Sequence, residues 1–196
     1  MINHVLQRYE IILASSSPRR MELMQKMGIP FKLQLVDIDE SYPSHIKAAD
    51  IAKYLAQKKG NSIRSQLNQN QIAITADTIV WHNQQALNKP ANYNEARKML
   101  QLLSGRTHTV FTAIALTSPG KQVVDVDACE VTFMPLTEQE IDYYINNHQP
   151  FDKAGSYGAQ DWLGLCKIKS INGSFYTVMG LPTHLLYQHL LNWHES

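Results

Sequence analysis

Apolar and polar positions along this chain switch repeatedly between a two-residue and a 3.6-residue period, and the switches predict its elements. The run Glu10-Ile-Ile-Leu-Ala14 is of strand type, and Leu23, Met24 and Met27 then recur at helical spacing. Ser17 is placed to cap that helix, Pro18 suits its first position, and Gly28 closes it. Phe31-Lys-Leu-Gln-Leu-Val36 alternates as a half-buried strand and runs into the acidic cluster Asp37-Ile-Asp-Glu40 and a Ser/Tyr/Pro loop. A helix is predicted over 47–67, with Ile51, Tyr54, Leu55 and Lys58 on one side and Lys58-Lys59 near its middle. Gln71 to Asp77 reads as a buried strand delivering an aspartate at its end, and Thr78 to Trp81 carry it into a hairpin around Asn83-Gln84.

The second half continues in the same manner. A loop at 88–92 leads to an amphipathic helix at 94–103, stopped by Ser104-Gly105. Two long strands at 108–117 and 122–133 flank the turn Ser118-Pro-Gly-Lys121. Thr137-Glu-Gln-Glu140 is a capping box for a helix ending near Asn147. A loop rich in glycine and polar groups covers 150–160. A strand at 165–171 then meets Asn172-Gly173, a hairpin dipeptide, with 174–178 returning and a closing helix at 183–193. Strands and helices mix without strict alternation, which points to an α/β fold with a mixed sheet rather than a doubly wound parallel one. No repeat or composition break divides residues 1–196, so a single domain is expected.

Composition narrows the function. A hydrophobic share of 44% and a charged share of 18% belong to a globular chain, and a formal net charge of +1 argues against broad nucleic-acid binding. No apolar run approaches the ~20 residues that span a bilayer. Met1 to Glu10 has no apolar signal core, so a cytoplasmic protein is expected. Cys129 and Cys166 lie in apolar, strand-like surroundings and read as buried thiols, not as a disulfide framework. The histidines form no ligand pattern; His184 and His189 are roughly 140° apart around one helix and cannot clamp one metal.

The polar residues left over carry the chemistry. At Leu13-Ala-Ser-Ser-Ser-Pro-Arg-Arg20, free backbone N–H groups, a helix N-terminus and two guanidinium groups converge, which makes an anion site; the alternative is a capped surface helix with two solvated arginines. An aspartate directly after Ile72-Ala-Ile-Thr-Ala76 is costly in a sheet unless a metal, a water or a turn takes it up. The Asp39-Glu40 pair, Lys59, Lys89 and the loop ending in Gln160 complete the set. Carboxylates with Lys and Arg, without a Ser/His or Cys/His constellation, point to metal-assisted chemistry on phosphate, and hard oxygen ligands suit Mg²⁺ or Mn²⁺. Neither G-x-x-x-x-G-K-[ST] nor G-x-G-x-x-G occurs, which excludes a P-loop enzyme and a dinucleotide dehydrogenase.

Taken together, these motifs resemble the Maf family of nucleoside triphosphate pyrophosphatases. Leu13 to Arg20 is similar to its opening signature, Leu55-Ala56 with Lys59 to its Leu-Ala-x-x-Lys segment, Ala76-Asp-Thr78 to its Ala-Asp-Thr motif and Lys89-Pro90 to its Lys-Pro loop. Leu103-Ser-Gly-Arg-Thr-His108, Asp152-Lys-Ala-Gly-Ser-Tyr-Gly-Ala-Gln160, Asn172-Gly-Ser-Phe-Tyr176 and Gly180-Leu-Pro182 follow in register.

The resemblance implies hydrolysis between the α- and β-phosphates. It further implies an elongated mixed sheet with flanking helices, of inosine-triphosphatase-like form, and a deep cleft between two lobes. A divalent metal, Mg²⁺ or Mn²⁺, often a homodimer, and a link to inhibition of septation are implied as well. Asp77 is then the proton acceptor for water, Ser15 and Arg20 bind phosphate, and Lys59 and Lys89 neutralise the triphosphate. Glu40 or its neighbour Asp39 is the second carboxylate, with Asp77 and Glu40 as the metal ligands. Arg19, Thr78 and Gln160 look like the set found in members acting on dTTP and UTP; the sister subgroup, acting on 7-methyl-GTP, carries other residues. Departures from the pattern are Thr75 for a glycine, Ser156 for an alanine, Ala159 for a larger aliphatic, and Asp161-Trp162 where glycine is usual.

Overall fold

The computed structural model describes residues 2–193. Its strands are β1 (Glu10–Leu13), β2 (Lys32–Leu33), β3 (Gln71–His82), β4 (Gln85–Leu87), β5 (Thr107–Thr117), β6 (Gln122–Phe133) and β7 (Ile168–Asn172). They form one sheet in the order β2-β1-β3-β5-β6-β7, with β4 folded back onto β3. β1 runs parallel to β2 and β3 and the remaining pairs are antiparallel, so the sheet is mixed, as expected. The helices are α1 (Asn3–Arg8), α2 (Pro18–Lys26), α3 (Ala49–Arg64), α4 (Tyr93–Leu103), α5 (Glu138–His148), α6 (Trp162–Lys167), α7 (Phe175–Met179) and α8 (Thr183–Leu191). Among the described residues no helix is long and apolar enough to cross a membrane.

β3 is nearly continuously buried because helices cover both its faces. Ile72 and Ile74 pack with Leu23 and Met24 of α2 and Leu186 and Leu190 of α8. Ile79 points the other way and joins Ala113 and Ala115 of β5 under Ile51, Ala52, Leu55 and Ala56 of α3. A further cluster, with Val80, Leu100, Leu103, Val131, Phe133 and Tyr144, fills the end of the sheet beneath α4 and α5. α3 lies very close to the sheet at Gly60, where a Cβ would sit 2.5 Å from Thr117 Oγ1 and 2.6 Å from Gln122 Nε2. The Thr75 hydroxyl, standing where the family pattern has glycine, donates a buried hydrogen bond of 2.8 Å to the Ala56 carbonyl and braces α3 on β3.

Several local expectations hold. Asn83 and Gln84 take left-handed φ values of 47° and 61° in the β3–β4 hairpin, and both halves of the Thr137–Glu140 capping box form. Others need correction. The 31–36 strand shrinks to Lys32–Leu33 because β2 is an edge strand against a four-residue β1, and both of its residues are exposed. Asp77 does not end its strand; β3 continues to His82, and Asp77 sits in mid-strand opposite Ala113.

The strand expected at 165–171 is helix α6 up to Lys167 and only then β7. Asn172-Gly173 makes no hairpin: Gly173 (φ 128°) ends β7 and residues 175–179 coil into α7. That helix is held in place by Thr112 donating to the Thr177 carbonyl and Thr177 Oγ1 donating to Asp127. Ser17 occupies the N-cap position of α2 without a capping bond from its side chain; its backbone N–H instead donates to Ser15 Oγ. Cys129 is buried, with its thiol pushed up to about 11 by desolvation, but Cys166 is exposed on α6. α1 was not anticipated. Of the stretches considered from sequence, Met1 and His194 lie outside the described residues.

Candidate active site

A cleft of about 540 Å³ opens where α2, the middle of β3, α3 and the 150–160 loop meet. Ser15, Arg19, Arg20, Glu40, Lys59, Asp77, Thr78, Lys89 and Gln160 all line it, so one cavity gathers every site residue expected from sequence. The alternation of β3 hands Asp77 to the α3 side and Thr78 to the α2 side.

One end of the cleft is an ionic knot. Lys59 Nζ lies 2.6 Å from Asp77 Oδ1 and 2.7 Å from Glu40 Oε1, and Lys89 Nζ lies 3.2 Å from Glu40 Oε2. The Lys59 and Asp77 side chains are only 12% and 10% exposed, which strengthens their attraction. Burial raises the Asp77 pKa above the ordinary carboxylate value; the charge and hydrogen bond of Lys59, with the charge of Arg20, offset that in part. Burial pulls Glu40 the same way, but Lys59 and Lys89 outweigh it and hold its carboxyl below the usual range. Of the neighbouring acids only Glu40 enters the cleft. Asp39 is turned outward, accepting from the Ser41 backbone at 2.9 Å and paired with Lys58 at 3.7 Å.

The strand-to-helix turn forms the adjoining wall. Arg20 Nε donates to the Gly180 carbonyl at 2.8 Å, Nη2 to Thr78 Oγ1 at 3.3 Å and Nη1 to Ser15 Oγ at 3.4 Å. Burial lowers the pKa of this guanidinium, and the charge of Asp77 works against that. Among the described residues Arg20 has neutral acceptors but no ion-pair partner, and a half-buried cation held that way is suited to an incoming anion. Its neighbour Arg19 points elsewhere, reaching Asp152 at 3.3 Å on the 150–160 loop. The alternative of two solvated arginines does not describe this turn.

The other end of the cleft is built from loop. Gly155 and Ser156 adopt φ values of 66° and 61°, and a Cβ at Gly155 would meet the Val80 side chain at 2.9 Å. Tyr157 OH and His108 Nε2 share a buried hydrogen bond of 2.7 Å, which fastens the loop to β5. Desolvation, with a smaller push from His82, lowers the His108 pKa to about 3. At the end of the loop, Gln160 Oε1 is buried without a hydrogen-bond partner among the described residues. Such an orphaned acceptor costs roughly 1–3 kcal/mol unless a ligand donates to it. Asn88, Asp152, Lys153 and Tyr157 also line the cleft and had not been assigned from sequence; the signal for the last three was their place in the same loop motif as Gln160.

The cavity thus joins a buried carboxylate–lysine pair, an anion-binding turn and an unpaired amide oxygen. Sequence comparison fits it. A sequence model described as Maf-like protein matches residues 10–193. The dTTP/UTP pyrophosphatase of Bacteroides thetaiotaomicron is 46% identical over 186 residues, covering 94% of this chain and 96% of that one. The protein of the same name from Christiangramia forsetii is 45% identical over 190 residues, covering 97% of each chain. That of Flavobacterium johnsoniae is 40% identical over 190 residues, covering 97% of this chain and 98% of its own.

Proposed function

The chain belongs to the Maf family, and from that premise we propose that it is a nucleotide pyrophosphatase that hydrolyses dTTP and UTP to the monophosphate and pyrophosphate, acting in the cytoplasm. The observation that carries the chemistry is the Asp77–Lys59 pair beside the guanidinium of Arg20, whose hydrogen bonds all go to neutral oxygens. The names of the near-full-length relatives support the choice of nucleotide.

The roles follow from the geometry. Arg20 and the Ser15 turn take the triphosphate, whose oxygens supply the anionic partner that the guanidinium lacks. Lys59 and Lys89 exchange their bonds to Glu40 for phosphate oxygens and neutralise charge as the α–β bond breaks. With Lys59 drawn to phosphate, Asp77 keeps the raised proton affinity that burial gives it and accepts a proton from the attacking water. Water attacks the α-phosphorus, the α–β phosphoanhydride bond breaks, and pyrophosphate leaves with the bonding pair. Gln160 meets the base: its amide offers a donor and an acceptor to a pyrimidine edge, and its unpaired oxygen matches the ring N–H of uracil or thymine.

A divalent cation fits the same knot. Asp77 Oδ1 and Glu40 Oε1 converge within 2.7 Å of one ammonium nitrogen, so both already ligate a cation. No group of three or more His, Cys, Asp or Glu residues that could hold a metal occurs among the described residues. Asp77 and Glu40 would therefore hold Mg²⁺ or Mn²⁺ together with phosphate oxygens and water, the shell that Mg²⁺ favours. Bound there, the ion would polarise phosphate oxygens and lower the pKa of water.

Pyrophosphate release from UTP, dTTP, ATP, GTP and 7-methyl-GTP, each with Mg²⁺ and with Mn²⁺, tests the reading. Fast release from the pyrimidine nucleotides is expected. No release from any of them, or full activity in Asp77→Asn, ends the proposal, and a dominant rate on 7-methyl-GTP transfers the substrate to a modified purine.

A further inference from the structure

The two residues assigned to reading the base, Arg19 and Gln160, both line the cleft, and a run of polar contacts leads from Arg19 to the residues that flank Gln160. Arg19 Nη1 pairs with Asp152 Oδ2 at 3.3 Å, Asp152 Oδ1 accepts from Lys153 Nζ at 2.7 Å, and Lys153 Nζ lies 3.6 Å from Asp161 Oδ2. The same oxygen accepts from Tyr144 OH at 3.0 Å, and that hydroxyl accepts from the Gly158 backbone N–H at 3.1 Å. The run therefore closes on the two residues that bracket Ala159-Gln160 in sequence.

Exposure falls along the run, from the exposed Asp152 to the buried Tyr144 and Gly158. Tyr144 is inaccessible, and the side chains of Lys153 and Asp161 are 12% and 18% exposed. The fit is also tight, since a Cβ at Gly158 would sit 2.5 Å from Asp161 Oδ2. Asp161 stands where the family pattern has glycine, so neither the carboxylate nor its hold on Lys153 and Tyr144 belongs to that pattern.

We propose that Asp161, acting through Tyr144 and Lys153, is a positioning residue for base discrimination: it fixes the turn that carries Gln160 and ties it to the Arg19–Asp152 pair. The proposal rests on the reading above, in which Gln160 and Arg19 rank the bases. It takes no part in proton transfer or in the charge of the triphosphate, so its effects belong in KM and in the ranking of nucleotides, not in kcat.

The experiment is steady-state hydrolysis of UTP and GTP by the wild type, Asp161→Asn, Tyr144→Phe, Gln160→Ala and the Asp161→Asn/Gln160→Ala double variant, with thermal unfolding of each. Asp161→Asn keeps an acceptor for Tyr144 but removes the charge that holds Lys153. Tyr144→Phe removes only the hydroxyl and keeps the test open if Asp161→Asn does not fold. The expected result is an about tenfold fall in kcat/KM for UTP, carried by KM, with GTP changed less than about twofold and no further loss in the double variant. Equal losses for both nucleotides, a loss confined to kcat, additive losses or an unchanged ranking each overturn the proposal. The wild type separates the two claims. No preference for UTP over GTP would remove the pyrimidine reading itself, and a preference that survives in Gln160→Ala would remove that residue's part in it; a preference lost in Gln160→Ala but kept in Asp161→Asn and Tyr144→Phe removes only the role of Asp161.

Discussion

The two ends of the cleft solve the problem of buried polarity in opposite ways. At the reaction end, Lys59 lies between Asp77 and Glu40, and Lys89 completes Glu40, so the charges satisfy one another before any substrate arrives. Asp77 stands mid-strand in β3 and Lys59 mid-helix in α3, and the Thr75–Ala56 bond braces the two elements. At the recognition end, Gln160 is carried on a loop with left-handed residues, and its amide oxygen is buried without a partner. The contrast teaches that the protein holds its chemistry on rigid elements in a neutralised form, and leaves its selectivity as an open hydrogen bond that only the right ligand closes. A site built to hydrogen-bond its ligand discriminates strongly because the wrong ligand leaves that group unpaired.

The largest expected effect breaks the reaction end. Asp77→Asn keeps the shape but removes the base and one of the two carboxylates assigned to the cation, and kcat should fall by about 10²–10⁴-fold for every nucleotide. Retention of the wild-type rate would show that the proton goes elsewhere. The pH profile carries the same content. Because burial raises the Asp77 pKa, the acid limb of kcat/KM should lie above the ordinary carboxylate value, with activity lost as pH falls through it and the limb absent from Asp77→Asn.

Second comes the pair of arginines, whose separation is the sharpest form of the comparison. Arg20→Ala removes three hydrogen bonds and the charge facing the phosphates. It should lower kcat/KM by about 10²-fold for all nucleotides alike, the size expected for a charged donor at a reacting phosphate. Arg19→Ala cuts the tie to Asp152 and should alter the UTP-to-GTP ratio by about tenfold while leaving the slower substrate near its original rate. Parallel losses in the two variants would dissolve the distinction between the ends.

How far the sequence disclosed this arrangement differs by the same division. Long strands such as β3, β5 and β6 announce themselves by their apolar and β-branched runs, and Asn83-Gln84 and Thr137–Glu140 carry their turn and cap chemistry locally. The apolar run near Leu165 is short enough to suit either helix or strand, and α7 follows a dipeptide of hairpin type. Tertiary contacts decide both, through Gly164 packing on the Ala159 backbone and Thr177 bonding Asp127. Asp77 and Arg20 were legible because charge on an apolar strand or at a helix start is conspicuous, and Lys59, in mid-helix, only through its likeness to the family's Leu-Ala-x-x-Lys segment. The Arg19–Asp152 and Tyr157–His108 ties were not, since their members lie 133 and 49 residues apart and no local pattern links them.

The smallest effect on catalysis concerns the tie between His108 and Tyr157, and it separates the two ends by pH. His108 is buried and neutral, with a folded pKa of about 3 against an ordinary 6.5. Above pH 6.5 both the folded and the unfolded chain carry it unprotonated, and its contribution to stability is complete. Between about 6.5 and 3 the unfolded chain binds a proton that the folded one refuses, so stability drains away by up to about 1.4 kcal/mol per pH unit as pH falls. Carboxylates add their own losses in that range, so the measurement is a difference: urea unfolding of the wild type and of His108→Gln at intervals from pH 7 to 4. The variant should show a shallower fall by about one proton. Because protonation puts N–H donors on both ring nitrogens, with Nδ1 buried without a partner among the described residues and Nε2 held by Tyr157, the strain falls on the Tyr157 tie. Amide protection in 150–160, taken relative to the intrinsic exchange rate at each pH, should therefore fall on acidification before protection in β3 does. Equal pH slopes in the two proteins, or β3 opening first, would mean that the recognition loop is not the part of the cleft that His108 holds.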